Sequence, residues 1–161
     1  MKAHTKETQA TMTPNKALQY LKEGNQRFQN NLKANRNLLE QVNDTSEGQF
    51  PLAGTKLIVV LGHTSCGAIK GACDHARLGN LTALINKIEP AVDAVTEPTD
   101  ENLRNSKNLE FVDNVAAKNV LLTIGNIRKK SPVLTEMEDN GEIKVVGAMY
   151  DVSNGEVVFY D

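Results

Sequence analysis

The strongest strand signal in the chain is Leu57-Ile58-Val59-Val60-Leu61, five apolar residues in succession ended by Gly62. A continuous run of this kind predicts a strand buried on both faces, as in a parallel sheet covered by helices. Helical patterns flank it. Thr13-Pro14 reads as an N-cap followed by Pro at the first helical position, and Leu18, Leu21 and Phe28 recur on one face. That predicts a helix over about 14 to 30, weakened by Gly24. Downstream of the strand, Ala68, Ile69, Ala72 and Ala76 mark a helical segment from about Cys66 to Leu78. Leu81, Leu84, Ile85 and Ile88 then repeat at the helical period until Glu89-Pro90 stops them. A longer pattern runs from Leu109 through Val112, Val115, Ala116, Val120, Leu121, Ile124 and Ile127. It ends in Arg128, Lys129 and Lys130, cations suited to the negative end of a helix dipole.

Ser131-Pro132 restarts a short helix that Asn140-Gly141 closes, and two strand runs, Ile143 to Tyr150 and Glu156 to Tyr160, surround the turn signal Asn154-Gly155. Strand, glycine turn and helix in this order predict an α/β fold: a short, mostly parallel sheet flanked by helices, with a C-terminal β-hairpin. Residues 1 to 12 are polar and aperiodic and are expected to form a flexible tail. From Asn30 to Ala53 the composition turns to Asn, Gln, Glu, Ser and Gly, as in a connecting segment. There is no internal repeat, and 1–161 reads as a single domain.

Length and composition agree with that reading. The chain has 161 residues, 40% hydrophobic and 24% charged, enough for one domain with its own core. Eighteen Lys and Arg against twenty Asp and Glu leave a net charge of -2, which argues against a nucleic-acid partner. No apolar stretch approaches the ~20 residues needed to span a bilayer, and the N-terminus lacks the apolar block of a signal peptide. The expectation is a cytoplasmic protein that does not engage a membrane.

Two cysteines, Cys66 and Cys73, and three histidines, His4, His63 and His75, limit the chemistry. Two cysteines do not make the disulfide framework of a secreted scaffold, so each is a metal ligand, a reactive thiol or a small buried residue. His63-Thr64-Ser65-Cys66 lies where the strand gives way to a helix, the place where open α/β sheets put their ligands. An imidazole and a thiolate across such a turn can converge on one cation and suit zinc, and Gly62 and Gly67 on either side permit a tight backbone. The spacing alone equally allows a loop-capping His63 and a core Cys66.

The residues also carry a family resemblance. Lys56 to Ala72, KLIVVLGHTSCGAIKGA, resembles the second zinc-binding segment of the β-class carbonic anhydrases. The likeness continues through Gly79-Asn80-Leu81, Ile88-Glu89-Pro90-Ala91, the Asn119 to Ser131 helix end and the closing GEIKVVGAMYDVSNGEVVF. Thr13 to Phe28 resembles that family's N-terminal helix, which packs across the partner subunit in its dimers. The resemblance implies Zn²⁺ held by His63 and Cys66, and a lyase that reversibly hydrates carbon dioxide to bicarbonate and a proton. A homodimer or larger homo-oligomer is implied as well. Zinc suits that chemistry because it lowers the pKa of a bound water to near ~7.

One part of the family pattern is absent. Family members draw a second cysteine and an Asp/Arg pair from a Cys-x-Asp-x-Arg segment on another central strand, and no such segment occurs here. Phe50 to Ala53 resembles the residues before that block and Gly54 to Lys56 those after it, so the chain reads as a member with an internal block removed. No catalytic residue is identifiable on that basis. The alternative is a catalytically inactive remnant acting as a structural or subunit-binding module. Cys73-Asp74-His75-Ala76-Arg77 is a poor substitute, because on a continuous helix Cys66 and Cys73 stand seven residues, ~10 Å, apart and cannot share one ion. Cys73 is expected to pack in the core and His75 to lie on a helix surface. His4 has no partner that the sequence names, and Asp44 and Glu47 precede the junction. Asp93, Glu97, Asp100 and Glu101 read as a solvated face. Loss of the block also predicts an exposed edge on the strand at 57–61, which invites pairing with another chain.

Overall fold

The computed structural model describes residues 10–32, 55–77 and 79–160. Most of the expected tail and connecting segment, with His4, Asp44 and Glu47, lies outside them. In chain order the elements are α1 (Pro14–Gln29), β1 (Leu57–His63), α2 (Gly67–Cys73), α3 (Thr82–Ala94), α4 (Leu109–Lys130), α5 (Pro132–Asp139), β2 (Lys144–Tyr150) and β3 (Val157–Tyr160). Short 3-10 turns occupy Gly79–Leu81 and Glu101–Leu103.

The strands form one sheet in the order β1-β2-β3. Lys144 N–H donates to the Lys56 carbonyl and Thr64 N–H to the Tyr150 carbonyl, each at 3.0 Å. The two starts pair with each other and so do the two ends, so β1 and β2 run parallel. β2 and β3 are antiparallel, with Gly147 opposite Tyr160 and Tyr150 opposite Val157. Their connection closes through Asp151 N–H to the Glu156 carbonyl, 2.8 Å, with Gly155 at φ +78 as the turn signal demands. The sheet is mixed, and the architecture is the shortened α/β fold that the patterning predicts.

β1 differs from its expectation in burial. Its residues 57–60 are half-buried and Leu61 is 57% exposed. Among the described residues β1 stands at the sheet's edge, and an edge strand lacks the neighbour that would cover it.

The backbone divides into two compact units, 1–58 with 132–145, and 59–131 with 146–161. In the first, Thr13 caps α1 by accepting from Lys16 N–H at 3.3 Å, with Pro14 in the first turn. Of the expected face Leu18 is buried, whereas Leu21 and Phe28 are 47% and 64% exposed. α5 starts at Pro132, and its chain reverses at Gly141, φ +71.

In the second unit α2, α3 and α4 pack on one another. Its core centres on Phe111, Val112 and Val115 of α4 and Val146 of β2, each at most 2% exposed. α4 begins at Asn108, whose side chain accepts from Phe111 N–H, and ends with Arg128, Lys129 and Lys130 in its last turn. Pro90 does not stop α3 as the sequence suggests, because the helix continues to Ala94. Ala91 and Val92, 1% and 4% exposed, extend the buried face of Ile85 and Ile88, and that burial offsets the backbone hydrogen bond proline removes.

Candidate metal centre

His63 is the last residue of β1 and Cys66 caps the start of α2, so a strand end and a helix start frame the turn between them. The turn is fastened from outside. Thr64 N–H donates to the Tyr150 carbonyl at 3.0 Å, and Thr64 Oγ1 accepts from Val152 N–H at 3.1 Å. Ser65 sits in the left-handed region, φ +56, and its N–H donates to Asp113 Oδ1 of α4 at 2.8 Å. The residue with special backbone geometry is therefore Ser65, and not Gly62 or Gly67 as the sequence suggests. Gly62 serves close packing: a Cβ there would stand 2.6 Å from Met149 Sδ and 2.8 Å from Val120 Cγ2. A Cβ at Gly67 would meet nothing within 4 Å.

The His63 ring is exposed, and its Nδ1 lies 2.9 Å from the Thr64 carbonyl oxygen. A carbonyl oxygen only accepts, so Nδ1 is the donor in this contact, and in the neutral ring that places the lone pair on Nε2. A metal-ligating histidine takes this form, its other ring N–H held by a backbone carbonyl. Cys66 is half-buried and makes no side-chain capping hydrogen bond. An imidazole nitrogen and a sulfur thus flank a pinned turn, a donor pair that suits zinc. The number of donors is insufficient: among the described residues no group of three or more His, Cys, Asp or Glu can hold a metal ion. The pair fits half of a zinc site.

The Cys73 to Arg77 segment holds no further ligand. Cys73 closes α2 at 2% exposure, and burial, with Asp74 adding to it, pushes its thiol up to about 11. The helix ends there, so Asp74 to Arg77 lie beyond it rather than on its surface, and His75 takes φ +50. Asp74 Oδ1 accepts from Ser106 N–H at 2.9 Å, and the hydrogen bonds from Ser106 hold its carboxyl below the usual value. Arg77 donates to Glu89 Oε1 at 2.8 Å, with His75 Nδ1 3.6 Å from the same oxygen. Asp93, Glu97, Asp100 and Glu101 are exposed, as expected. Sequence reasoning missed Asp113 and Thr64. Thr64 carried a weak signal as a hydroxyl residue just after a strand, whereas nothing local points from Ser65 to Asp113.

Comparison with known proteins decides the family. The carbonic anhydrase family model matches residues 49–157. The chain belongs to the carbonic anhydrase family. Carbonic anhydrase of Synechococcus elongatus is 29% identical over 101 residues, 63% of this chain and 37% of the relative. Carbonic anhydrase 2 of Mycobacterium tuberculosis is 28% identical over 110 residues, 65% of this chain and 49% of the relative. A β-carbonic anhydrase of Aspergillus fumigatus superposes with a TM-score of 0.53 at 29% identity, covering 66% of this chain and 49% of that one. A tetrameric β-carbonic anhydrase of Sordaria macrospora shares the fold with a TM-score of 0.51 at 24% identity, covering 65% and 51%.

This carbonic anhydrase family member therefore spans half or less of the curated relatives it matches. His63 and Cys66 lie inside the matched region. Among the described residues no helix is long and apolar enough to cross a membrane.

Proposed function

We propose that this chain is a zinc-binding β-class carbonic anhydrase homologue whose reaction is the reversible hydration of carbon dioxide to bicarbonate and a proton. His63 and Cys66 are its metal ligands. The reading is supported by the His63 Nδ1 contact to the Thr64 carbonyl, which in the neutral ring keeps Nε2 for a metal, three residues before a cysteine whose side chain caps nothing. Family membership supports the reaction, and the zinc dependence is general to that family. A catalytic zinc takes about three protein donors, so activity requires at least one donor beyond these two.

The donor shortfall favours a second reading, in which the chain is catalytically inactive and serves as a structural or subunit-binding module. Both readings imply a homo-oligomer. The exposed Leu21 and Phe28 of α1, and the place of β1 at the sheet's edge among the described residues, support that assembly. Two free cysteines and the absence of a membrane-spanning helix among the described residues accord with a cytoplasmic protein that handles a small-molecule substrate.

Elemental zinc per chain, followed by carbon dioxide hydration with wild-type protein and His63→Ala, separates the two. Bound zinc with activity that His63→Ala abolishes supports the enzyme. Absence of zinc and of hydration rejects it.

A further inference from the structure

Two hydrogen bonds meet on one peptide group. The peptide joining Thr64 to Ser65 gives its N–H to Asp113 Oδ1 at 2.8 Å, and its carbonyl oxygen stands 2.9 Å from His63 Nδ1. We propose that Asp113 is a positioning residue for His63, acting through this peptide: the carboxylate fixes and polarises the carbonyl, the carbonyl holds a proton on Nδ1, and the neutral ring keeps its lone pair on Nε2. The state of the ring follows without a metal. Its use, presenting Nε2 to zinc, rests on the reading of His63 as a ligand.

The arrangement is a carboxylate and histidine pair with a peptide placed between its members. A ligating histidine gives its second ring N–H to a carboxylate or to a backbone carbonyl, and here the carbonyl is itself backed by a carboxylate. A peptide whose N–H donates to a charged acceptor carries more negative charge on its oxygen, because hydrogen bonds in a chain polarise one another. That oxygen only accepts, so it selects the ring form with hydrogen on Nδ1.

The ring is exposed, and water competes for its N–H, so the carbonyl has to be in place before the ring meets it. Thr64 is tied down on both flanks. Its N–H donates to the Tyr150 carbonyl at 3.0 Å, and its Oγ1 accepts from Val152 N–H at 3.1 Å. Ser153 is the main donor to the Asp151 carboxyl, and the Thr64 hydroxyl also donates to it, which together hold that carboxyl below its usual value. Beyond the peptide, Asp113 is half-buried and follows the buried Phe111 and Val112 on α4. The ring and the carbonyl belong to adjacent residues, so making their contact orders little more than the His63 side chain.

The experiment uses the full metal-free chain labelled with nitrogen-15, at pH ~9, where an imidazole is neutral. Long-range proton-nitrogen spectra tell which nitrogen of each ring is protonated, and His63→Gln identifies the His63 signals by their loss. Wild-type His63 is expected mainly in the Nδ1–H form. Asp113→Ala should move the ratio of the two forms about fivefold toward Nε2–H, the factor one hydrogen bond is worth, and Asp113→Asn should restore it. His75, whose Nδ1 stands 3.6 Å from Glu89 Oε1, should not respond to either change. Circular dichroism checks that each variant folds, and the wild-type spectrum needs no variant. A wild-type ring mainly in the Nε2–H form overturns the proposal. An Asp113→Ala ratio equal to that of the wild type also overturns it, and leaves Asp113 a brace of the turn alone. Zinc added to the wild type should then shift the Nε2 signal of His63. A ring held in the Nδ1–H form that zinc leaves unchanged overturns the ligand reading and keeps the action of Asp113 on the ring.

Discussion

The Ser65 amide N–H donates to Asp113 Oδ1 at 2.8 Å, tying the turn between His63 and Cys66 to a helix 48 residues further along the chain. Asp113 follows Phe111 and Val112, which are fully buried, so the carboxylate is carried by the part of α4 packed into the core. A charged acceptor is also stronger than a neutral one, and this bond holds Ser65 in a conformation that a non-glycine residue avoids. Asp113→Ala is expected to lower stability by about 1–3 kcal/mol and to weaken zinc binding by about 10–100-fold. Asp113→Asn, which keeps an acceptor, should recover most of both losses. Urea unfolding and a zinc titration of the three proteins check this; equal zinc affinity in all three would separate the turn from the metal.

Gly62 precedes His63 and has no room for a side chain. Its Cβ would fall within 2.8 Å of Val120 Cγ2, a branched side chain with little freedom to turn aside, as well as 2.6 Å from Met149 Sδ. Gly62→Ala is therefore expected to cost about 1–3 kcal/mol through overpacking. The displacement falls on the end of β1, so His63 should move with it and zinc affinity drop. Gly67→Ala, where a Cβ meets nothing within 4 Å, should change neither quantity appreciably. Thermal unfolding of the pair is the measurement, and a larger loss at Gly67 would contradict this packing argument.

The parts of this molecule visible in its sequence are those set by neighbours along the chain. Leu57 to Leu61 announces β1, Thr13-Pro14 announces α1, and the cations at 128–130 announce the end of α4. His63 and Cys66 were legible as a pair for the same reason, since both lie in one short turn. The helix through Pro90 was not, because the burial of Ala91 and Val92 that sustains it depends on tertiary packing. Nor was the half-buried state of β1: an unbroken apolar run fixes what a strand prefers, and its place in the sheet decides what it gets. Asp113 was invisible because its partner is an amide of Ser65, a group every residue but proline carries, at a separation no local pattern spans.

The two cysteines should differ sharply in reactivity. Cys66 is half-buried at the start of α2, whereas Cys73 is 2% exposed with its thiol pushed up to about 11 by burial. Thiolate is the reacting form, so at pH ~8 the native chain is expected to react with a thiol reagent quickly at Cys66 and negligibly at Cys73. Both should react after unfolding. Zinc added beforehand should protect Cys66 if it is a ligand. Counting labelled thiols by mass spectrometry, with the site found by peptide mapping, decides it; early labelling of Cys73 would mean that α2 opens readily.

Asp74 gives the fold a dependence on acid whose sign follows from its hydrogen bonds. Ser106 donates to the ionised carboxyl, which lowers its value below the ordinary 3.8 in the folded chain. The folded state then holds the proton less tightly than the unfolded one, so the contribution is present above 3.8 and fades as pH falls through the lowered folded value. Asp74→Asn keeps a carbonyl for Ser106 N–H and removes the titration. The wild-type advantage over this variant should be constant from about pH 7 to pH 5 and shrink steadily below pH ~4. Urea midpoints of both proteins across that range test it. Glu89 and Asp151 are also held low, by Arg77 and Ser153 respectively, but both stay in place in the variant. The difference between the two curves therefore isolates Asp74, and a gap that persists unchanged into strong acid would mean that the Ser106 contact does not favour the ionised form.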